Sequence, residues 1–258
     1  MRKYLIVAIG FVCALLSCQK ALAQASEVHV LASNGIKAVV EDLLPQAEHS
    51  IGHPITVEFS PTANLKQKIE AGEAFDAVIV TPEAIADLSK GGKTLEGAGT
   101  SIYGTLISRA GIGIAIRKGA PRSDISTPEA IKSALLNVKA VAYAPQGAST
   151  PAITQMLESL GIADAVKSKT ILLQGSDLTI AAVLDGRADF VITLVSELLP
   201  VKGLELLGPL PDKFQQYIKF SAAVSANTKN AEAAKALVEF LAGPSALPVI
   251  KARGMEAH

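Results

Sequence analysis

Cysteine is nearly absent from this chain: of 258 residues only Cys13 and Cys18 are cysteines, and both fall in the first twenty positions. If the chain is cut after Ala23, none is left, which excludes structural disulfides and thiolate chemistry. Net charge is absent too, with 24 basic and 24 acidic residues. No basic tract is present, so there is no electrostatic footprint for nucleic acid. Beyond the first residues no apolar run is long enough to span a bilayer. Gly111-Ile112-Gly113 lacks the third glycine of a dinucleotide fingerprint, and neither a Walker A loop nor a nucleophile elbow occurs. His49 and His53 have helical metal-ligand spacing, but Gly52 and Pro54 break that helix and no third ligand follows. No cofactor and no metal are expected.

What is present begins with an export signal. Arg2 and Lys3 precede an apolar run from Tyr4 to Leu16, and Ala21-Leu22-Ala23 supplies a small-x-small cleavage site. This predicts a signal peptide over residues 1–23 and a periplasmic product starting at Gln24. Leu15-Leu16-Ser17-Cys18 is the competing reading, a lipoprotein site at Cys18. Roughly 235 residues then remain, enough for one or two domains. With 49% hydrophobic and 19% charged residues, they can bury an ordinary core.

Strand and helix signals alternate. Val28 to Ala32 is a short apolar run, and Ile36, Val39, Val40, Leu43 and Leu44 mark one face of a helix. Ile55, Val57 and Phe59 alternate as a strand, Leu65 and Ile69 belong to a helix closed near Gly72, and Ala77 to Val80 reads as a buried strand. Thr81-Pro82-Glu83 opens another helix. After a glycine-rich break the pattern restarts. Ile112, Ile114 and Ile116 alternate as a strand, Thr127-Pro128-Glu129 starts a helix, and strands are expected at Ala140–Tyr143, Ile171–Leu173 and Phe190–Leu194. The helix from Ala231 to Leu241, with Asn230 as its cap, has no sheet of its own, so the chain is expected to return to its first half. Repeated winding predicts an α/β fold of two lobes, each a mainly parallel sheet flanked by helices. Residues 24–107 with 222–258 form the first lobe and 108–221 the second.

In such a fold a ligand sits between the lobes, at the carboxyl ends of strands. The stretch from Phe59 to Gly72 shows why. A strand ends in Ser60-Pro61-Thr62-Ala63-Asn64 and a helix begins, which aims unpaired N–H groups and the positive helix end at whatever lies before it. Such a loop can hold an anion. Ser33-Asn34-Gly35, the Pro145–Thr150 loop with Gln146, Ser149 and Thr150, and Gly175-Ser176-Asp177 are of the same kind. The plainer reading of Thr62, Asn64, Ser149, Thr150 and Ser176 is that they cap helices. Tyr143, at a strand end, is a candidate proton-transfer residue, and its plainer reading is packing. Arg109, Arg117 and Arg187 read as solvated surface.

The succession of strand-Ser33-Asn34-Gly35-helix, Leu65 to Gly72 with Asp76, Gly113 to Gly119, Gly186-Arg187-Ala188-Asp189 and Phe240 to Pro244 with Gly254 resembles the periplasmic molybdate-binding protein family of ABC importers. The likeness covers the whole chain after residue 23. It implies a type II periplasmic binding protein fold, a hinge between lobes, closure around a small anion, delivery to an inner-membrane permease, and a monomer. The family's oxyanion contacts map unevenly. A helix-opening serine falls on Gly35, with Ser33 close by; a second serine falls on Thr62; a tyrosine falls on Leu194; and backbone contacts fall near Ser149 and Asp177. Gly35 and Leu194 are expected to enlarge or dry the pocket, favouring a di- or tricarboxylate over molybdate or tungstate. The chain is also similar to the aconitate isomerase branch of this fold family, which implies allylic proton transfer as the alternative to transport binding.

Overall fold

The computed structural model describes residues 26–95, 101–102 and 104–257. The expected signal peptide, its cleavage site and Cys18 lie outside the described residues. The first half winds as β1 (Val28–Ser33), a 3-10 turn (Asn34–Ile36), α1 (Lys37–Ile51), β2 (Ile55–Ser60), α2 (Thr62–Glu70), β3 (Ala77–Val80) and α3 (Pro82–Lys90). β3 is buried along its whole length, as befits an interior strand, paired in parallel with β1 and antiparallel with β9, that is covered on both faces. β1 pairs in parallel with β2 on one side and β3 on the other. Gly52, at φ 71°, ends α1 with its N–H on the Glu48 carbonyl, the left-handed cap that glycine accommodates without steric cost.

β4 (Thr105–Arg117) carries the chain into the second winding: α4 (Pro128–Asn137), β5 (Val141–Tyr143), α5 (Thr150–Ser159), α6 (Ala163–Lys167), β6 (Thr170–Leu172), α7 (Ser176–Leu184), β7 (Phe190–Leu194) and α8 (Val195–Leu198). Thr127 caps α4 as its sequence predicts, its hydroxyl accepting from the Ala130 N–H at 3.1 Å. β8 (Leu204–Pro209), β9 (Tyr217–Val224), α9 (Ala231–Ala242), α10 (Leu247–Ala252) and β10 (Met255–Glu256) complete the described chain. β5 pairs in parallel with both β6 and β7. The strand order is β2-β1-β3-β9-β4-β7-β5-β6, with β8 and β10 also on β4.

β4 is longer than the alternation of Ile112, Ile114 and Ile116 predicts, because its first half carries polar Ser108 and Arg109 and hides the period. Residues 105–111 pair with β9, whereas 112–115 pair with β7. At the change of partner the Gln215 side chain stands in for a strand: its Oε1 accepts from the Ile112 N–H at 2.9 Å and its Nε2 donates to the Ile112 carbonyl at 3.0 Å. One apolar core spans both lobes, from Val28 to Met255. Two smaller clusters close the opposite sheet faces, around Leu31, Leu65 and Ile85 in one lobe and Ala142, Val183 and Val191 in the other.

α9 packs on α1, β4 and β9. Asn230 stands at its N-cap position but does not cap it. Its amide instead donates to Asp76 Oδ2 at 3.2 Å and to the Glu27 carbonyl at 3.0 Å. Asp76 Oδ2 also accepts from the His29 N–H at 2.8 Å, and Oδ1 accepts from the Thr228 hydroxyl. Burial works against the Asp76 charge, but these three donors outweigh it and hold the carboxyl below its ordinary range.

Candidate ligand-binding site

Because β1, β2 and β3 run parallel, as do β5, β6 and β7, their carboxyl ends open toward one place. A cavity of about 630 Å³ lies there, lined from the first lobe by Ser33, Asn34, Gly35, Thr62, Ala63, Asn64 and Thr81. The second lobe contributes Gln146, Ser149, Gln174, Ser176, Thr193, Leu194 and Glu197. Of the residues singled out from sequence, Tyr143, Thr150 and Asp177 do not line it. Tyr143 is half-buried and packs against the core, the Thr150 hydroxyl donates to the Ala144 carbonyl, and Asp177 is exposed in the first turn of α7. Asp177 contributes nothing to the lining, but its charge still reaches the cleft, where it bears on Glu197.

The hydroxyl pair at the first two strand ends is specific. Ser33 and Ser60 are register partners in β1 and β2, which places the next loop beside Ser33. Thr62 Oγ1 then donates to Ser33 Oγ at 3.2 Å. Pro61 occupies the cap position of α2 and no side chain caps that helix, so the capping role expected of Thr62 and Asn64 is not what their side chains do. Because Thr62 spends its one O–H on Ser33, the Ser33 hydroxyl keeps its own O–H to offer a ligand.

Of the two effects expected of Gly35 and Leu194, enlarging or drying the pocket, the packing around Gly35 leaves no room for the first. A β-carbon on Gly35 would stand 2.4 Å from Phe220 Cζ and 2.6 Å from Leu194 Cδ1. The space vacated by the missing side chain is thus filled by those two, and Leu194 is only 3% exposed. The change dries the cleft floor without widening it. Beside it, Ser196 Oγ donates to the Gly35 carbonyl at 2.7 Å, a buried bond between the lobes.

The charged groups of the lining are Lys66, Glu83, Asp87, Glu197 and Lys219. Lys66 pairs with Glu70 at 2.8 Å and with Asp87 at 3.6 Å; the Glu70 hydrogen bond chiefly, then both carboxylates, keep its pKa above the ordinary lysine value. Tyr217 lines the cleft from the start of β9, with the Arg109 guanidinium 4.4 Å from its ring centre. Arg109 in turn holds Glu256 with two N–H groups at 2.9 and 2.6 Å, so it is tied into the fold and is not free surface. Burial first, then Glu256, pushes the Tyr217 phenol up.

Sequence reasoning missed Thr193, Glu197, Tyr217 and Lys219. Thr193 lies at the end of β7 and Glu197 just past it, and the rule used for the other strand ends would have found them. Tyr217 and Lys219 could not be found that way, because they lie at the start of an antiparallel strand. Among the described residues no cluster of metal-ligating side chains occurs, and no single helix is long and apolar enough to cross a membrane.

Comparison with known proteins points to one family. The family described as bacterial extracellular solute-binding protein matches residues 28–256. The molybdate-binding protein ModA of Azotobacter vinelandii is 31% identical over 259 residues, covering 97% of this chain and 96% of that one. An aconitate isomerase from a Pseudomonas species is 25% identical over 232 residues, covering 88% and 86%. Among solved structures, the A. vinelandii periplasmic molybdate-binding protein superposes with a TM-score of 0.71 at 17% identity, covering 90% of this chain and 99% of that one.

Proposed function

The chain belongs to the family of bacterial extracellular solute-binding proteins, and from that premise we propose that its interlobe cleft captures a small organic carboxylate in the periplasm and presents it to an inner-membrane ABC permease. The protein works as a monomer with a cleavable signal peptide. The observation that carries this reading is the Ser33–Thr62 hydroxyl pair, set among strand ends from both lobes around one cavity. A volume near 630 Å³ suits an organic ligand with several functional groups. Leu194, where a tyrosine would hydrogen-bond such an oxyanion, supplies no donor. Ser33, Asn64, Gln146 and Ser149 offer separated donors for more than one carboxylate.

Thermal unfolding with a panel of molybdate, tungstate, citrate, and cis- and trans-aconitate tests this directly. A ligand at a hundred times its Kd stabilises by about 2.7 kcal/mol, so a carboxylate should raise the Tm more than molybdate does. A shift with molybdate or tungstate alone would replace the carboxylate reading with an oxyanion one. A panel without any shift would end both.

A second reading, isomerisation of cis- and trans-aconitate, is favoured by the similarity to an aconitate isomerase and by a carboxyl in the cleft, Glu197. The reaction needs a base for the allylic proton and donors for the charge that develops. Glu197, in its ionised form, is the candidate for the first task in place of Tyr143, which does not line the cavity. Proton NMR of purified protein with cis-aconitate decides it: conversion above the buffer rate that Glu197→Gln abolishes supports turnover, and none removes it.

A further inference from the structure

Glu197 is a cleft carboxyl that a simple anion site does not explain. It lies in α8 just past β7 and lines the same cavity as Ser33 and Thr62. The Thr193 hydroxyl donates to its Oε2, and the Leu194 N–H approaches that oxygen at 3.4 Å. Ser176, also in the lining, is a third hydrogen-bonding partner. Part of its surface remains open to solvent, yet burial by the surrounding protein is the largest influence on the carboxyl and pushes its pKa up, with Asp177 adding in the same direction against the three hydrogen bonds.

The neighbouring charges do not neutralise it. Of the cleft cations, Lys66 is engaged by Glu70 and Asp87, and Lys219 is exposed on β9; Glu83 and Asp87 add negative charge to the lining. α8 packs on β4, β7, β8, α1 and the 34–36 turn. On β4, Arg109 is held by Glu256, and Arg117 is exposed. On β8, Glu205 is held by Arg122; on α1, Asp42 is held by Arg253. Also on α1, Glu48 accepts from the Ile55 N–H, Lys37 lies over the Phe59 ring, and Glu41 and His49 are exposed. None of these pairs includes Glu197. An ionised carboxylate here would face a bound anion across a partly dry cleft, whereas a neutral carboxylic acid carries an O–H that can donate to it.

We propose that Glu197 is a specificity-determining donor of this site: it meets the ligand as a neutral carboxylic acid, so that an anionic oxygen is bound together with a proton held on Glu197. The inference rests on the anion-binding reading above and deepens it. The ligand class is an anion that presents an acceptor oxygen to Glu197, and binding is linked to proton uptake wherever the free protein has already ionised that group.

Two measurements decide it. Carboxyl-carbon NMR of the ligand-free protein, with Glu197 assigned through bonds, should place its titration above the ordinary glutamate value of about 4.3. Titration at or below that value overturns the proposal without reference to any ligand. Calorimetric titration with citrate and with molybdate between pH 5 and 8 should show wild-type affinity falling as pH rises past the Glu197 midpoint, by up to about tenfold per pH unit. Glu197→Gln, which keeps a donor and cannot ionise, should flatten that profile and bind more tightly than wild type at the high-pH end. Binding with equal pH slopes in both proteins overturns this proposal and leaves the anion site standing; no binding of either probe overturns both.

Discussion

A hydroxyl contributes to binding only if it is not already committed to holding its own helix, and Thr62 meets that condition. It donates to Ser33 across two paired strands and so turns the Ser33 O–H toward the cavity; Thr62→Val keeps the size and removes that orienting bond. Calorimetry with the best ligand of the thermal panel should find affinity weakened by about 1 to 2 kcal/mol, with Tm of the free protein little changed. Gly35 tests the opposite kind of role. Its φ is unremarkable, but any β-carbon there meets Phe220 and Leu194 well inside contact distance. Gly35→Ala should cost about 1 to 3 kcal/mol by overpacking, read as a lower Tm. A variant as stable as wild type would mean the cleft floor is looser than its packing indicates.

Among the elements, α9 shows how a locally convincing signal gives way to a distant one. Asn230 precedes an apolar, helix-spaced segment and reads as an ordinary cap, yet its amide serves Asp76, 154 residues away. Asp76 gathers β1, the start of β3 and the segment leading into α9 onto one carboxylate. Asp76→Asn should lower stability by about 1 to 3 kcal/mol at neutral pH, since an amide nitrogen then faces donors. The pH dependence follows from the direction of its shift. A carboxyl held below its ordinary range stabilises the fold above the unfolded value near about 3.9, and that contribution is lost as pH falls through the folded pKa. The stability gap between wild type and Asp76→Asn, from urea unfolding at each pH, should therefore narrow in acid below about pH 4. β4 is a second such element: the period of Ile112, Ile114 and Ile116 makes only its second half legible, because polar Ser108 and Arg109 in the first half face β9 and β10.

For the whole molecule, the first half of the chain meets the second along β4 and at the buried Ser196–Gly35 bond. Ligand held between lobes should favour a more closed arrangement, because only that arrangement lets both sets of strand ends reach it. X-ray scattering with and without a saturating ligand from the panel should show a smaller radius of gyration when bound. An unchanged radius would place binding in one lobe or in an already closed cleft.

Strand and helix alternation, the two parallel windings and the hydroxyl-rich strand ends were determined by the sequence alone, because periods of 2 and 3.6 residues and helix-opening chemistry are local properties. Ser33, Thr62, Asn64, Gln146 and Ser149 were legible for that reason. Tertiary structure alone decided which of these ends share a cavity, that Tyr143, Thr150 and Asp177 stay out of it, and that Glu197, Tyr217 and Lys219 enter. It also decided that Gly35 is filled space: Ser196, the partner of its carbonyl, is 161 residues away. Contacts over such separations depend on how whole layers pack, and no local period encodes them.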